Sequence, residues 1–288
     1  MEKEISGKIS KMLNNFQGFK DLSPEEEDYD QECPICHGDG VITKTIGGTQ
    51  YSFSCNCRMR EVLKRKLIQA NIPEEYWGKE DEKISDRVKA MAIMGEDRKK
   101  IDINKFAERY ISGFDDFLEK RRNVVLMGTN GAGKTFLATK IGINAIKRNV
   151  STQYLTSKSL IKLCGKTFND KESQKKFKEL QEVDLLILDE YGKEYRTDNS
   201  WVYTELEDFL NYRFYQDKVT IIVTNFYDLY KNKEESERQI EVHQQSILSR
   251  LKNLAFNIRV GIKEDYRKEQ IEKMWSDLDL GVDSDEEE

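Results

Sequence analysis

The chain has 288 residues, 38% of them hydrophobic and 35% charged, with a formal net charge of −6. This supplies core material for one large or two modest domains, and no apolar run approaches the length of a membrane span. Met1-Glu2-Lys3-Glu4 opens the chain without the apolar stretch of a secretory signal, so a cytoplasmic protein with reduced thiols and no membrane partner is expected. The acidic balance means that any nucleic-acid contact must come from a local basic patch.

In chain order, the first chemistry is a set of cysteines. Cys33-Pro34-Ile35-Cys36 and Cys55-Asn56-Cys57 are separated by eighteen residues. Four thiolates suit a tetrahedral Zn²⁺, and two paired knuckles bring them together. Gly38 and Gly40 permit the tight turn of such a knuckle. Residues 41–45 and 50–54 read as a hairpin around Gly47-Gly48, a zinc-ribbon-like layout with Cys33, Cys36, Cys55 and Cys57 as ligands. The second pair is C-x-C rather than C-x-x-C. Disulfides are the competing reading and fit a reducing cytosol poorly. His37 is expected outside the ligand set, and Cys164 as a small core residue.

A basic helical stretch follows at residues 58–67, readable either as a surface for DNA or an acidic protein, or as a solvated face beside the metal site. Residues 78–100 are charged and poor in apolar groups, and are expected to connect two domains.

Val124-Val125-Leu126-Met127 is a short apolar strand, and a helical pattern begins at Phe136. Between them lies Gly128-Thr129-Asn130-Gly131-Ala132-Gly133-Lys134-Thr135, which fits G-x-x-x-x-G-K-[ST] in the strand–loop–helix context that this phosphate-binding loop requires. The glycines let backbone N–H groups turn onto phosphates, and the helix start adds its dipole. Lys134 would reach the β- and γ-phosphates of ATP, and the Thr135 hydroxyl would ligate Mg²⁺.

A strand is plausible at residues 151–156, followed by a lysine-rich helical stretch over residues 157–182. Leu185-Leu186-Ile187-Leu188 is apolar without alternation, as in a strand covered on both faces, and runs into Asp189 and Glu190. Asp189 would sit near the Mg²⁺ and Glu190 would polarise the attacking water. Residues 219–224 form another apolar run that ends in Asn225, whose amide can hold that water without competing for Mg²⁺. A further strand is expected at residues 255–260, after a helical segment holding Ser249-Arg250-Leu251. On its own Arg250 reads as a solvated helix-face arginine. Strands alternating with helices argue for an α/β fold with a parallel sheet between helices, its ligand beyond the carboxyl ends of the strands. The acidic run from Asp283 to Glu288 is expected to be a solvated tail.

Taken together, these motifs resemble the bacterial and phage helicase-loader ATPases of the DnaC/DnaI type and their IstB-like relatives, over about residues 100–270. The resemblance rests on residues 128–135, Leu185 through Gly192, Val223-Thr224-Asn225, Ser249-Arg250-Leu251 and the ending Asp265-Tyr266-Arg267. Tyr191 departs from the aliphatic residue usual there. The resemblance implies an AAA+ P-loop NTPase core with a five-stranded parallel sheet, plus a small amino-terminal zinc-ribbon-like domain. The expected boundaries are 1–95 for that zinc-binding, helicase-binding domain, 96–270 for the ATPase and 271–288 for the acidic tail. By this resemblance no separate lid domain is expected after Arg267, as in the loaders and unlike full initiators. The implied cofactors are ATP, Mg²⁺ and Zn²⁺. Glu190, Asn225 as the sensor, and Arg250 reaching the ATP of a neighbouring subunit are the implied catalytic set.

The resemblance further implies self-association through the ATPase interfaces, binding of a hexameric replicative DNA helicase, and its placement on single-stranded DNA. Lys158, Lys162, Lys166, Lys171, Lys175, Lys176 and Lys178 could track phosphates, or belong to a charged surface pair of helices balanced by Glu172, Glu179 and Glu182. Two other functions stay open. One is an IstB-like transposition helper, which the cysteine-rich part counts against. The other is a zinc-ribbon nucleic-acid-binding protein with an ATP switch. A small-molecule kinase would need an acceptor site that no motif proposes.

Overall fold

A computed structural model of the chain describes residues 33–94, 97–120, 122–167, 170–192, 200–225 and 255–261. It begins with an antiparallel hairpin, β1 (Val41–Ile46) and β2 (Thr49–Ser54). Gly47 and Gly48 turn it with φ of 58° and 83°, and two positive angles in succession match the twist of the flanking strands. Helix α1 (Asn56–Gln69) follows directly.

The rest is built on one seven-stranded sheet. Its strands are β3 (Lys89–Met94), β4 (Asp97–Ile101), β5 (Asn123–Gly128), β6 (Thr152–Thr156), β7 (Leu185–Tyr191), β8 (Val219–Thr224) and β9 (Ala255–Gly261), in the spatial order β4-β3-β9-β5-β8-β7-β6. The five strands from β9 to β6 are parallel, as expected. β3 and β4 add an antiparallel hairpin on the β9 side, so the sheet is mixed. The segment expected to connect two domains therefore supplies two strands of the ATPase sheet, and a boundary at residue 95 falls between them. The hairpin reads as polar because β4 is an edge strand with Arg98, Lys99 and Lys100 exposed, the kind of charge that protects a sheet edge from unwanted pairing.

Helices cover both faces. Strand side chains alternate between two cores, as the two-residue period of a strand dictates. Val124, Leu126 and Ile187 join Tyr110 of α2 (Ile103–Ser112) and Leu137 and Ile141 of α4 (Lys134–Lys147). Val125, Met127 and Leu188 join Leu160 of α5 (Ser157–Lys166), Leu180 of α6 (Lys171–Glu182) and Phe209 of α7 (Ser200–Tyr215). A short helix, α3 (Phe114–Glu119), links α2 to β5. Asp102 caps α2, accepting from the backbone N–H groups of Asn104 and Lys105, and Asp170 caps α6 in the same way.

Leu63 and Leu67 of α1, one helical turn apart, sit in the first of these cores against α4. The basic stretch thus shows Arg58, Lys64 and Arg65 to solvent and plants its apolar stripe on the ATPase body. Residues 72–88 continue across the same face. Trp77 is buried with its indole N–H on the Ile72 carbonyl at 3.0 Å, and Glu80 forms a buried ion pair with Lys147 of α4 at 2.5 Å. The amide of Asn104 clasps Ile84 in both directions, accepting from its N–H and donating to its carbonyl, each at 2.9 Å.

One buried cation holds the opposite face. Arg213 of α7 is fully buried and donates to the carbonyls of Leu180, Gln181, Val183 and Val219 and to the Thr220 hydroxyl, at 2.7–3.1 Å. Burial pushes its guanidinium down to about 9, which leaves it charged at neutral pH. The fork geometry of arginine lets one side chain satisfy the carboxyl end of α6 and the start of β8 together. Arg213→Met is expected to lower the unfolding free energy by about 3 kcal/mol or more, because each stranded buried carbonyl costs roughly 1–3 kcal/mol. Urea denaturation measures this, and an unmoved midpoint would count against the clamp.

Candidate nucleotide site and cysteine cluster

The phosphate-type loop joins β5 to α4. Gly131 and Gly133 have φ of 71° and 77°, left-handed angles that side-chain-bearing residues adopt only with strain. Gly128 is constrained twice. Its φ is 127°, and a Cβ there would stand 1.9 Å from the Val260 carbonyl oxygen of β9. No side chain caps the start of α4, so its first N–H groups are available to an anion in the loop. Lys134 is buried, and its ammonium donates to the carbonyls of Gly128 at 2.9 Å and Thr129 at 2.6 Å. Those bonds hold a cation inside the loop formed by residues 128–135.

The acidic strand end meets this loop. The Thr135 hydroxyl donates to Asp189 Oδ2 at 2.9 Å, across a sequence distance of 54 residues. The same oxygen accepts from the Tyr154 phenol at 2.8 Å, and Oδ1 accepts from the Glu190 N–H at 2.6 Å. Burial, with Asp189 beside it, raises the Tyr154 phenol well above its ordinary value, so it stays a donor. Glu190 is exposed and has a φ of 57°. It lies at a bulge: Leu188 faces Ile222 and Tyr191 faces Thr224, so two residues of β7 oppose one of β8. Such a bulge re-aims a side chain, and here Glu190 is exposed while its neighbour Asp189 is buried. The Ser157 hydroxyl holds the Glu190 carbonyl at 3.1 Å, and the Thr224 hydroxyl holds that of Tyr191 at 2.7 Å. Asn225 follows at the carboxyl end of β8, between the strands that carry the loop and the acids.

The second cluster is a set of four cysteines that could hold a metal ion. Cys33, Cys36, Cys55 and Cys57 have their sulfurs within 4.8 Å of one another, and none is in a disulfide. Cys33–Cys55 is 3.8 Å and Cys36–Cys57 is 3.4 Å. Sulfurs of a tetrahedral zinc site with bonds of about 2.3 Å lie about 3.8 Å apart, so the four residues fit such an ion. The Gly40 N–H donates to Cys36 Sγ at 3.2 Å. Backbone N–H groups of Cys36 and Ile35 hold the Cys33 thiol down at about 6, while burial pushes Cys57 up to about 12. Four thiolates at this spacing repel one another, and a bound cation is what lets all of them ionise. His37 is exposed and lies outside the cluster.

The model of IstB-like ATP binding proteins matches residues 90–273, more than half of the chain. The chain belongs to the IstB-like ATP-binding protein family. This IstB-like chain is similar to the insertion sequence IS232 putative ATP-binding protein of Bacillus thuringiensis subsp. berliner, 32% identical over 110 residues, which are 38% of this chain and 42% of that protein. The chain spans less than half the length of the curated relatives it matches. Among solved structures it is similar to DnaI, with a TM-score of 0.46 and 24% identity over 55% of this chain and 83% of that one. It is also similar to the DnaC helicase loader, with a TM-score of 0.47 and 21% identity over 56% and 92% of the two chains.

The family is an ATP-binding AAA+ one, and the fold of this IstB-like chain is that of a P-loop NTPase. Of the residues expected at the site, the structure brings together Gly128, Thr129, Asn130, Gly131, Ala132, Gly133, Lys134, Thr135, Asp189 and Glu190, with Asn225 at the adjoining strand end. Ser249, Arg250, Leu251, the Asp265-Tyr266-Arg267 ending and the acidic tail lie outside the described residues. All seven lysines of the 157–182 stretch are exposed, and Lys162, Lys166 and Lys176 share a groove of about 570 Å³ with Asp170 and Glu172. Cys164 is buried, as expected of a core residue. Sequence reasoning missed Tyr154, Ser157 and Thr224, whose contacts with the acidic strand end depend on strand pairing. It also missed Ile84, packed beside Gly133.

Two outcomes follow. Lys134→Ala should weaken ATP binding about 100-fold or more, since it removes the cation from the loop, and a fluorescent-nucleotide titration reads the change directly. Cys36→Ser should abolish stoichiometric metal and melt the β1–β2 hairpin, because a structural zinc supplies about 10–16 kcal/mol to a small site. Elemental analysis with hydrogen exchange over residues 33–57 tests this; a protected hairpin without metal would show that the cysteines stand alone.

Proposed function

We propose that the chain is an ATP-hydrolysing loader that grips a replicative DNA helicase through its cysteine-bearing amino-terminal part and places it on single-stranded DNA. The observation that carries this reading is the position of the four-cysteine unit. It precedes the family-matched residues 90–273, yet its helix α1 packs on α4, the helix that begins at Lys134. A partner held there bears on the nucleotide site. This layout resembles loaders with a zinc-bearing helicase-binding part, and the proposed ion is Zn²⁺.

The chemistry proposed for the site uses the residues in these roles. Backbone N–H groups of residues 128–135 cradle the phosphates, and Lys134 neutralises β- and γ-phosphate charge. Thr135 and Asp189 would hold Mg²⁺, which when bound offsets charge on the phosphate oxygens. Glu190, exposed at the bulge, takes a proton from the attacking water, and the Asn225 amide orients that water. Arg250 is proposed to reach the nucleotide of a neighbouring subunit, so that ATP controls assembly and hydrolysis controls release. The exposed lysines of α5 and α6 are proposed to follow the phosphates of single-stranded DNA.

A second reading, a transposition helper, is favoured by the sequence relatives, whose names mark them as insertion-sequence ATP-binding proteins. The experiment that separates the two is affinity capture from the source cell with the full chain carrying Glu190→Gln and ATP. A hexameric replicative helicase, lost when Cys36→Ser is added, is the expected catch. A transposase in its place moves the assignment to the second reading, and neither partner in either nucleotide state overturns the loader.

A further inference from the structure

Tyr154 belongs to no part of the phosphate-loop and acidic-strand motifs, yet it touches the carboxylate on which both converge. Its place in the sheet explains how. Tyr154 of β6 pairs with Ile187 of β7, so Asp189 is its diagonal neighbour two residues along. With strands about 4.8 Å apart and a rise of about 3.3 Å per residue, such a diagonal pair is about 8 Å apart, within reach of an aromatic side chain. The phenol bridges that gap and donates to Asp189 Oδ2 at 2.8 Å, beside the Thr135 hydroxyl at 2.9 Å. With the Glu190 N–H on Oδ1, the buried carboxylate has fixed donors on both oxygens. A phenylalanine at position 154 would fill the same space and leave Oδ2 to Thr135 alone.

The backbone of Tyr154 is held from the other side. β6 is the edge of the sheet, and its outer face meets the end of α1. The Tyr154 N–H donates to the Ala70 carbonyl at 2.8 Å, the Gln153 amide donates to the Gln69 carbonyl at 2.7 Å, and the Asn71 amide donates to Gln153 Oε1 at 3.0 Å. Tyr154 therefore joins the helix that leaves the cysteine cluster to the carboxylate next to the phosphate loop.

We infer that Tyr154 is a positioning residue: its hydroxyl orients Asp189 for the magnesium ion, and the bonds of its strand to the end of α1, from Tyr154 N–H to Ala70 and through the Gln153 amide to Gln69 and Asn71, tie that orientation to the seating of α1 on the sheet edge. The inference rests on the proposed role of Asp189. Partners that orient metal-binding carboxylates commonly change metal affinity by 10–100-fold. The test is a Mg²⁺ titration of ATP hydrolysis by the full chain, beside ATP binding measured in EDTA. Tyr154→Phe should raise the Mg²⁺ needed for half-maximal rate about tenfold, with the rate restored at saturating Mg²⁺ and Mg²⁺-free ATP binding unchanged. Gln153→Ala, which removes two of the α1 ties, should shift the titration in the same direction by a smaller factor. An unshifted Tyr154→Phe curve, or a rate deficit that saturating Mg²⁺ leaves in place, overturns the inference alone. A shift in Tyr154→Phe without any in Gln153→Ala overturns the link to α1. Wild-type hydrolysis that does not depend on Mg²⁺ overturns the magnesium role of Asp189 and takes this inference with it.

Discussion

The site depends on β8 lying between β5 and β7. Neighbouring strands are about 4.8 Å apart, so the intervening strand holds the phosphate loop and the acidic strand end about 10 Å apart at the backbone. That gap leaves room for phosphate oxygens and a cation, while Thr135 and Asp189 can still meet by hydrogen bond across it. β8 can take the central position because every residue from Val219 to Thr224 is buried, with apolar side chains on both faces. An inserted charge in that run would disturb the spacing before it touched any group of the site.

Local strain is concentrated where the acids end. Glu190 adopts a left-handed φ that costs a non-glycine residue energy, and the bulge at that point interrupts the β7–β8 ladder. The surrounding hydroxyls offset the loss: Ser157 takes the Glu190 carbonyl and Thr224 takes that of Tyr191. These bonds hold the backbone at the bulge, where Glu190 is exposed while Asp189, its neighbour in sequence, is buried. One strand end thus presents two carboxylates in unlike environments, one buried and ordered by fixed donors and one exposed.

The parts of this fold that were legible in the sequence are those where burial is two-sided and continuous. β5, β7 and β8 announce themselves as apolar runs, and the phosphate loop as glycines in a strand–loop–helix setting, whereas β6 and β9 carry polar residues and are only partly buried. The β3–β4 hairpin did not announce itself, because its outer strand is exposed and basic and its inner strand buries only Ala90 and Ile93. Arg213 reads as one more surface cation until the carbonyls around it are known. Tyr154 and the bulge at Glu190 are invisible for a related reason: both arise from register between strands far apart in the chain, and register has no local signature. That the cysteine pairs come together was readable from spacing alone, since paired knuckles of this kind fold onto one another.

Spacing said less about where the cysteine unit sits, and here the packing of α1 changes the picture of a separate amino-terminal domain. The helix begins next to Cys55 and ends against β6, a length of about 20 Å at 1.5 Å per residue. Leu63 and Leu67 are fully buried in the core shared with Leu137 and Ile141 of the phosphate-loop helix. Lifting α1 away would expose both leucines, at about 1.5–3 kcal/mol each, and would break its polar ties to Gln153 and Tyr154. A unit held by that much free energy is seated, which is why the described amino-terminal part packs on the helix of the phosphate loop instead of standing apart as a separate domain.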